Sequence, residues 1–241
     1  MDGTGDLLTV QLPGLTQHFD VRCLSIPVDD LTPWSGLRNQ TLQLIRREAG
    51  DRPVYLCGES FGACLSMLVA SHAPELFHRQ ILINPASSFH RNSWLRWVAS
   101  ITPLVSPYLY RASTLAMLPL LASLGRVNRK NQQALLFAMR RVQQSTAAWR
   151  LSLLSHFRAD ALPLQQFSRP SLIIAGAADR LLPSVDEAQR LAEYLPQAQV
   201  HLLPHSGHAC LLEDKVDLRQ ILAATGMLAR PLIPRAFGRY D

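Results

Sequence analysis

Gly58-Glu59-Ser60-Phe61-Gly62 places a serine between two glycines at the point where an apolar run, Val54-Tyr55-Leu56-Cys57, gives way to Ala63-Cys64-Leu65-Ser66-Met67-Leu68-Val69-Ala70. That order reads as strand, sharp turn and helix. A turn this sharp forces the apex residue into a strained backbone conformation and leaves little space beside it. Gly58 and Gly62 are therefore read as the small residues of the elbow. Ser60 is read as a nucleophile held clear of the sheet edge.

A serine hydroxyl is a poor nucleophile at neutral pH. It needs a histidine base, and the base needs a carboxylate to fix its tautomer and balance its charge. On a parallel sheet, loops after different strands meet at one carboxyl edge. Two late loops supply the missing types. Asp179 follows the apolar run 171–175 in Gly176-Ala177-Ala178-Asp179-Arg180, and His208 follows the run 199–203 in Pro204-His205-Ser206-Gly207-His208. The order serine, acid, histidine is the one this elbow goes with. His205 is the nearest rival base, and Gly207 beside His208 suits a tight loop. Asp186 falls in a following helix, His201 within a strand, and Glu59 inside the elbow itself.

Attack by Ser60 would create an oxyanion that requires fixed donors. The N–H of Phe61, next after the nucleophile, is one candidate. The glycine-rich opening Asp2-Gly3-Thr4-Gly5 is the other, through Asp2 and Gly3, because glycine lets backbone approach a substrate closely.

The elements that must position these groups alternate between strand and helix, the pattern of a parallel sheet covered on both faces. Strands are expected at 19–28, 54–57, 80–84, 171–175 and 199–203. A helix capped by Thr32, with Pro33 at its first position, runs to Gly50, and the elbow helix runs from Ser60 to His72. Ser184-Val185-Asp186-Glu187 reads as a capping box, and a last helix is expected over 211–225. Between 90 and 166 the alternation stops. That stretch is rich in Leu, Ala, Trp and Arg, and reads as a helical lid inserted between core segments 1–89 and 167–241.

Length and composition narrow the function classes. The 241 residues carry a formal net charge of +6, almost all from arginine, since Lys130 and Lys215 are the only lysines. The cations are scattered without interleaved aromatics, which argues against nucleic acid as a partner. They suit anionic headgroups or an acidic acyl donor such as coenzyme A or acyl carrier protein. No metal-ligand spacing and no cofactor fingerprint is present. Cys23, Cys57, Cys64 and Cys210 have no paired spacing and read as buried core thiols of a reducing, cytoplasmic setting. The longest uncharged stretches are too short and proline-broken for a span of about 20 residues.

These motifs resemble the α/β-hydrolase fold family. Several further stretches resemble the hydrolase half of the plastid and cyanobacterial esterase/lipase/thioesterase family that includes phytyl ester synthases. They are Val21–Val28, Thr32–Leu37, Ile83–Phe89, Leu182–Ala188, and Gly207-His208 through Leu211–Asp214. Plant members carry a second, acyltransferase-like domain, and 241 residues hold only the hydrolase half. Relatives also place an apolar strand and a Leu-Pro-Gly step before Asp-Gly-Thr-Gly, whereas this chain starts at Met1 inside that motif. The expectation is that the natural start lies upstream and that a sheet strand between 19–28 and the elbow strand is missing here.

The expected function is a serine-dependent acyl hydrolase of the esterase, lipase or thioesterase type, acting on a lipid-like acyl group through an acyl-serine. Transfer to phytol or another long-chain alcohol is the alternative. A peptidase and a non-catalytic binding protein of the same fold are the other readings. A haloalkane or epoxide enzyme would carry aspartate at position 60. Trp94, Trp97, Tyr108, Tyr110 and Phe137 in the insertion favour a lipid, and Arg91, Arg96, Arg111 and Arg126 suggest peripheral contact of the lid with an anionic membrane.

Overall fold

The computed structural model describes residues 3–228. Among these, four strands form one parallel sheet in the order β1-β2-β3-β4: β1 Tyr55–Glu59, β2 Arg79–Ile83, β3 Ser171–Gly176 and β4 Ala198–Leu203. Strand side chains alternate between faces, and here both faces are apolar. Ile81, Ile83, Leu172 and Ile174 pack with Leu15, Leu218, Ile221 and Leu222 on one side. Leu82, Ile173 and Ala175 pack with the larger core on the other. That core takes in α2 (Trp34–Ala49), α3 (Phe61–His72) and α8 (Ser184–Tyr194). The first face is closed by the single-turn helix α1 (Leu12–Leu15) and by α9 (Leu218–Ala224).

From β2 to β3 the chain is helical. α4 (Ser93–Ile101), α5 (Pro107–Leu121) and α6 (Arg129–Arg141) are joined by short 3-10 turns, and α7 (Gln144–His156) follows α6 after Val142 and Gln143. Phe157, Leu164 and Phe167 return the chain into the main core. α7 packs on the 3-10 turn Ala86–Arg91, and α4 packs on α7.

Several local expectations need correction. Residues 19–28 do not form a strand of the sheet, and β1 pairs only with β2. The expected strand between them is absent from the described residues, so neither has a partner on that side. Phe19 still packs edge-on against Tyr55, with ring centroids 5.0 Å apart. Cys23 and Cys57 are exposed, so only Cys64 and Cys210 are the buried thiols expected. The surrounding protein raises the Cys57 thiol to about 12, by desolvation first and then by the nearby Glu59.

The helix caps also differ. α2 starts one residue later than expected, with Pro33 as its cap. There is no capping box at Ser184: it is the first residue of α8, its hydroxyl bonds Asp179, and Glu187 turns to Ser87 and Arg190. The last helix is shorter than 211–225. A 3-10 turn at Cys210–Leu212 precedes α9, whose cap is Asp217, accepting from the Gln220 N–H.

Gln11 ties the start of the chain to this last segment. Its buried Nε2 donates to the carbonyls of Leu211 and Val216, each at 2.8 Å, and its Oε1 accepts from the Leu218 N–H at 2.8 Å. Gln11→Ala would leave buried backbone groups unpaired. The expected loss is about 1–3 kcal/mol, measurable as a lowered midpoint in urea unfolding.

Candidate active site

Ser60 stands between β1 and α3 with φ 54° and ψ −112°, and Asn84 is the only other non-glycine residue with positive φ among the described residues. The neighbouring strand fixes this turn. The Ser60 N–H donates to the Ile83 carbonyl at 2.9 Å, and the Ser60 carbonyl accepts from Ala63 and Ala86. The steric demand falls on Gly58, where a Cβ would lie 2.2 Å from the Gly62 carbonyl oxygen. A Cβ on Gly62 would meet nothing within 4 Å. The expectation that both glycines make room therefore holds for Gly58 alone, because it is the strand residue that faces the backbone of the helix.

Ser60, His208 and Asp179 form one hydrogen-bonded chain. His208 Nε2 lies 2.8 Å from Ser60 Oγ, and His208 Nδ1 lies 2.7 Å from Asp179 Oδ2. An ionised carboxylate only accepts, so Nδ1 carries the proton and Nε2 is free to accept from the serine hydroxyl. His205, the rival base, is exposed; among the described residues only its carbonyl has a bond, from the Ser123 hydroxyl. His201 sits within β4, and Asp186 lies in the first turn of α8.

Asp179 is saturated with donors. Oδ1 accepts the N–H groups of Leu181 and Leu182 at 2.8 and 3.1 Å. Oδ2 accepts from His208 and from the Ser184 hydroxyl. Burial acts to raise its pKa, but the hydrogen bond and charge of His208, with Ser184 and Leu182, outweigh burial and hold the carboxyl below 3.8. Glu59, beside Ser60, has the opposite setting. Its Oε1 is buried without a partner, and desolvation raises its pKa against a smaller opposing effect from His208.

The His208 loop is clamped from three directions. Asn84 is fully buried; its Nδ2 donates to the Gly207 and His208 carbonyls at 3.2 and 2.6 Å, while its Oδ1 accepts from the Gly176 N–H at 2.8 Å. One side chain thus joins the end of β3 to the histidine loop. Glu213, also buried, accepts from the Gly207 N–H, the Ser206 hydroxyl and Arg126 of the insertion. From the lid side, the Leu121 carbonyl accepts from the Ala209 N–H at 2.7 Å. Close approach explains two glycines. A Cβ on Gly176 would lie 2.5 Å from the Ser206 carbonyl oxygen, and one on Gly207 would lie 2.9 Å from the Ser123 nitrogen. Gly207 is thus required by lid packing rather than by its own turn.

Phe61 opens α3, so its N–H has no carbonyl within that helix to bond and is available to an oxyanion. Its ring is stacked on Trp34, centroids 4.4 Å apart, and the Trp34 indole donates to the Leu153 carbonyl at 3.1 Å. Gly3 has φ 74°; its carbonyl accepts from the Ile26 N–H at 2.7 Å, and a Cβ there would press on Ile26 and the buried Arg150. Asp2 lies outside the described residues.

Sequence reasoning missed Asn84, Ser184, Glu213 and Trp34 as functional positions. All four lie in stretches that carry the family resemblance, but only proximity hinted at a role: Asn84 ends the strand after the elbow, and Glu213 falls five residues past His208. Among the described residues, no group of three or more His, Cys, Asp or Glu is placed to hold a metal ion. A cleft of about 320 Å3 lies beside the acid loop, lined by Pro119, Ala122, Ser123, Leu124, Gly125 and Arg180.

The sequence pattern of the α/β hydrolase fold matches residues 37–215, a span holding Ser60, Asp179 and His208. The chain belongs to the α/β-hydrolase fold family. It is similar to phytyl ester synthase 1 of Arabidopsis thaliana, 31% identical over 95% of this chain and 36% of that protein. It is also similar to phytyl ester synthase 2 of the same plant, at 29% over 93% and 36% respectively. The chain thus spans about a third of the length of both relatives. Among solved structures, a hydrolase from Oleispira antarctica superposes with a TM-score of 0.78 at 16% identity, covering 93% of this chain and 87% of that one.

The depressed carboxyl of Asp179 makes a signed prediction. A carboxyl lowered on folding contributes stability that is complete above its unfolded pKa, near 3.8, and is lost as pH falls through the folded value below it. Asp179→Asn should therefore be less stable than the parent at neutral pH. The gap should narrow as pH drops below 3.8, which urea unfolding midpoints across acid pH would measure.

Proposed function

We propose that this protein is a serine acyl hydrolase that cleaves a lipid-like acyl ester or thioester through an acyl-serine intermediate. The observation that carries the proposal is the unbroken contact from Ser60 Oγ through His208 to Asp179. In this reading Ser60 attacks the acyl carbonyl as His208 Nε2 takes its proton. Asp179 stabilises the imidazolium, and the Phe61 N–H holds the oxyanion. The second oxyanion donor would come from the Asp2-Gly3 backbone. His208 then returns the proton to the leaving alkoxide or thiolate. Water, deprotonated by the same histidine, attacks the acyl-serine and regenerates Ser60.

The acyl acceptor is the open choice in this chemistry, and one observation favours a second reading. The similarity to two phytyl ester synthases supports transfer to a long-chain alcohol in place of water. The same acyl-serine serves both outcomes, so the acceptor decides between them. An acidic acyl donor, acyl coenzyme A or acyl carrier protein, is the partner class that the arginine-rich surface fits. The reading keeps a cytoplasmic setting. Among the described residues, no helix is long and apolar enough to cross a membrane.

Incubation with acyl esters and thioesters, with and without phytol, followed by lipid analysis, tests both readings. Free fatty acid in both samples supports hydrolysis, and a phytyl ester made only with alcohol present supports transfer. Ser60→Ala should abolish either product without unfolding the chain; retained turnover would remove Ser60 from the mechanism. Asn84→Ala should release the His208 loop from β3 and lower kcat by roughly a hundredfold, with KM changed much less.

A further inference from the structure

The insertion presents large apolar side chains to solvent that the active site does not use. Tyr108 is 86% exposed, Leu104 82% and Trp97 59%, and Trp94, Leu109, Leu115 and Phe137 are exposed too. Their positions are not random. In α4, Leu95 is buried and Trp97, two residues on, points to the opposite side, with Trp94 one turn before it. In α5, Tyr108, Arg111 and Leu115 fall at i, i+3 and i+7, which is one helix face.

The charge of this region has a single sign. From Phe77 to Ala159 the sequence contains no Asp or Glu, so every fixed charge there is an arginine or Lys130. Two of the lid arginines reach carboxylates elsewhere: Arg126 pairs with Glu213 and Arg141 with Asp6. Among the described residues, Arg91, Arg96, Arg111 and Arg140 have no carboxylate within 4.0 Å. Arg111 and Arg140 line one cleft of about 430 Å3 with Ala112 and Leu115. Two like charges beside an apolar wall suit a phosphate diester whose acyl chains lie against Leu115.

We propose that the outer face of α4, α5 and α6 docks on an anionic lipid bilayer. Trp97, Leu104 and Tyr108 enter the interface, and Arg111 and Arg140 bind headgroup phosphate. Aromatic side chains favour the interfacial region, and each cation near an anionic surface adds attraction that salt weakens. Arg126 of this same insertion bonds Glu213, which holds the Gly207 N–H, and the Leu121 carbonyl accepts from the Ala209 N–H, so docking would seat the bilayer on an element bonded to the histidine loop. The docking does not depend on which acyl acceptor the site uses, nor on whether Ser60 is catalytic.

Flotation with phosphatidylcholine vesicles, with and without phosphatidylglycerol, tests the proposal. The fluorescence readout is built in. Trp34 and Trp149 are half-buried with their indoles bonded to the Leu153 and Thr32 carbonyls, so a blue shift on binding reports Trp94 and Trp97. The unaltered protein should float with phosphatidylglycerol vesicles, shift to the blue, and release at high salt. Arg111→Gln with Arg140→Gln should weaken binding about fivefold per arginine. Trp97→Ser with Leu104→Ser and Tyr108→Ser should abolish the shift, while the exposed sites leave the thermal unfolding midpoint unchanged. Equal flotation with pure phosphatidylcholine, no flotation at all, or salt-insensitive binding by the unaltered protein would each overturn the proposal. So would a dimer, seen by sedimentation, that the apolar triple variant dissolves.

Discussion

The common carboxyl edge of four parallel strands is the constraint on which the site depends. Ser60 leaves β1, Asp179 follows β3 and His208 follows β4, so all three emerge at one rim although they are far apart in sequence. Parallel pairing imposes this, because each strand must return by a crossover and deliver its next loop to the same end. Hydrogen bonds between loops then convert proximity into alignment. Asn84 bonds the last residue of β3 and the histidine loop together, and the Ser60 N–H is tied to the Ile83 carbonyl one residue before Asn84. The strained φ of Ser60 and of Asn84 sit on either side of that one junction.

The insertion is bonded to the residues that hold the Ser60, His208 and Asp179 chain. Glu213 accepts at once from Arg126 in the lid and from Ser206 and Gly207 in the histidine loop. Trp34 stacks on Phe61 and donates to a carbonyl of α7. A shift of the insertion would therefore bear on the His208 loop through Glu213 and on Phe61 through Trp34. A buried carboxylate with three donors keeps its charge satisfied, which a bare glutamate in that position would not.

The sequence made legible what local chemistry encodes. Ser60, Asp179 and His208 each follow an apolar run closed by small or polar residues, and the run marks the strand end that brings them together. The helical character of the insertion was readable from its spacing and from the loss of alternation. The residues that hold the loops were not readable. Asn84 bonds Gly176 and His208 across the sheet, and no spacing in the chain signals such a long-range contact. Ser184 was misread for the same reason: its capping pattern is local, but its hydroxyl is taken by Asp179. Residues 19–28 have strand composition, yet a strand exists only with a partner, and among the described residues β1 pairs only with β2.

The central claim is that His208 makes Ser60 nucleophilic. Treatment with a fluorophosphonate, followed by peptide mapping, measures that directly. The account predicts a single stoichiometric adduct on Ser60 in the parent and loss of that adduct in His208→Ala, with His205→Ala labelled as fast as the parent. An adduct at another serine, or undiminished labelling of Ser60 without His208, would contradict it.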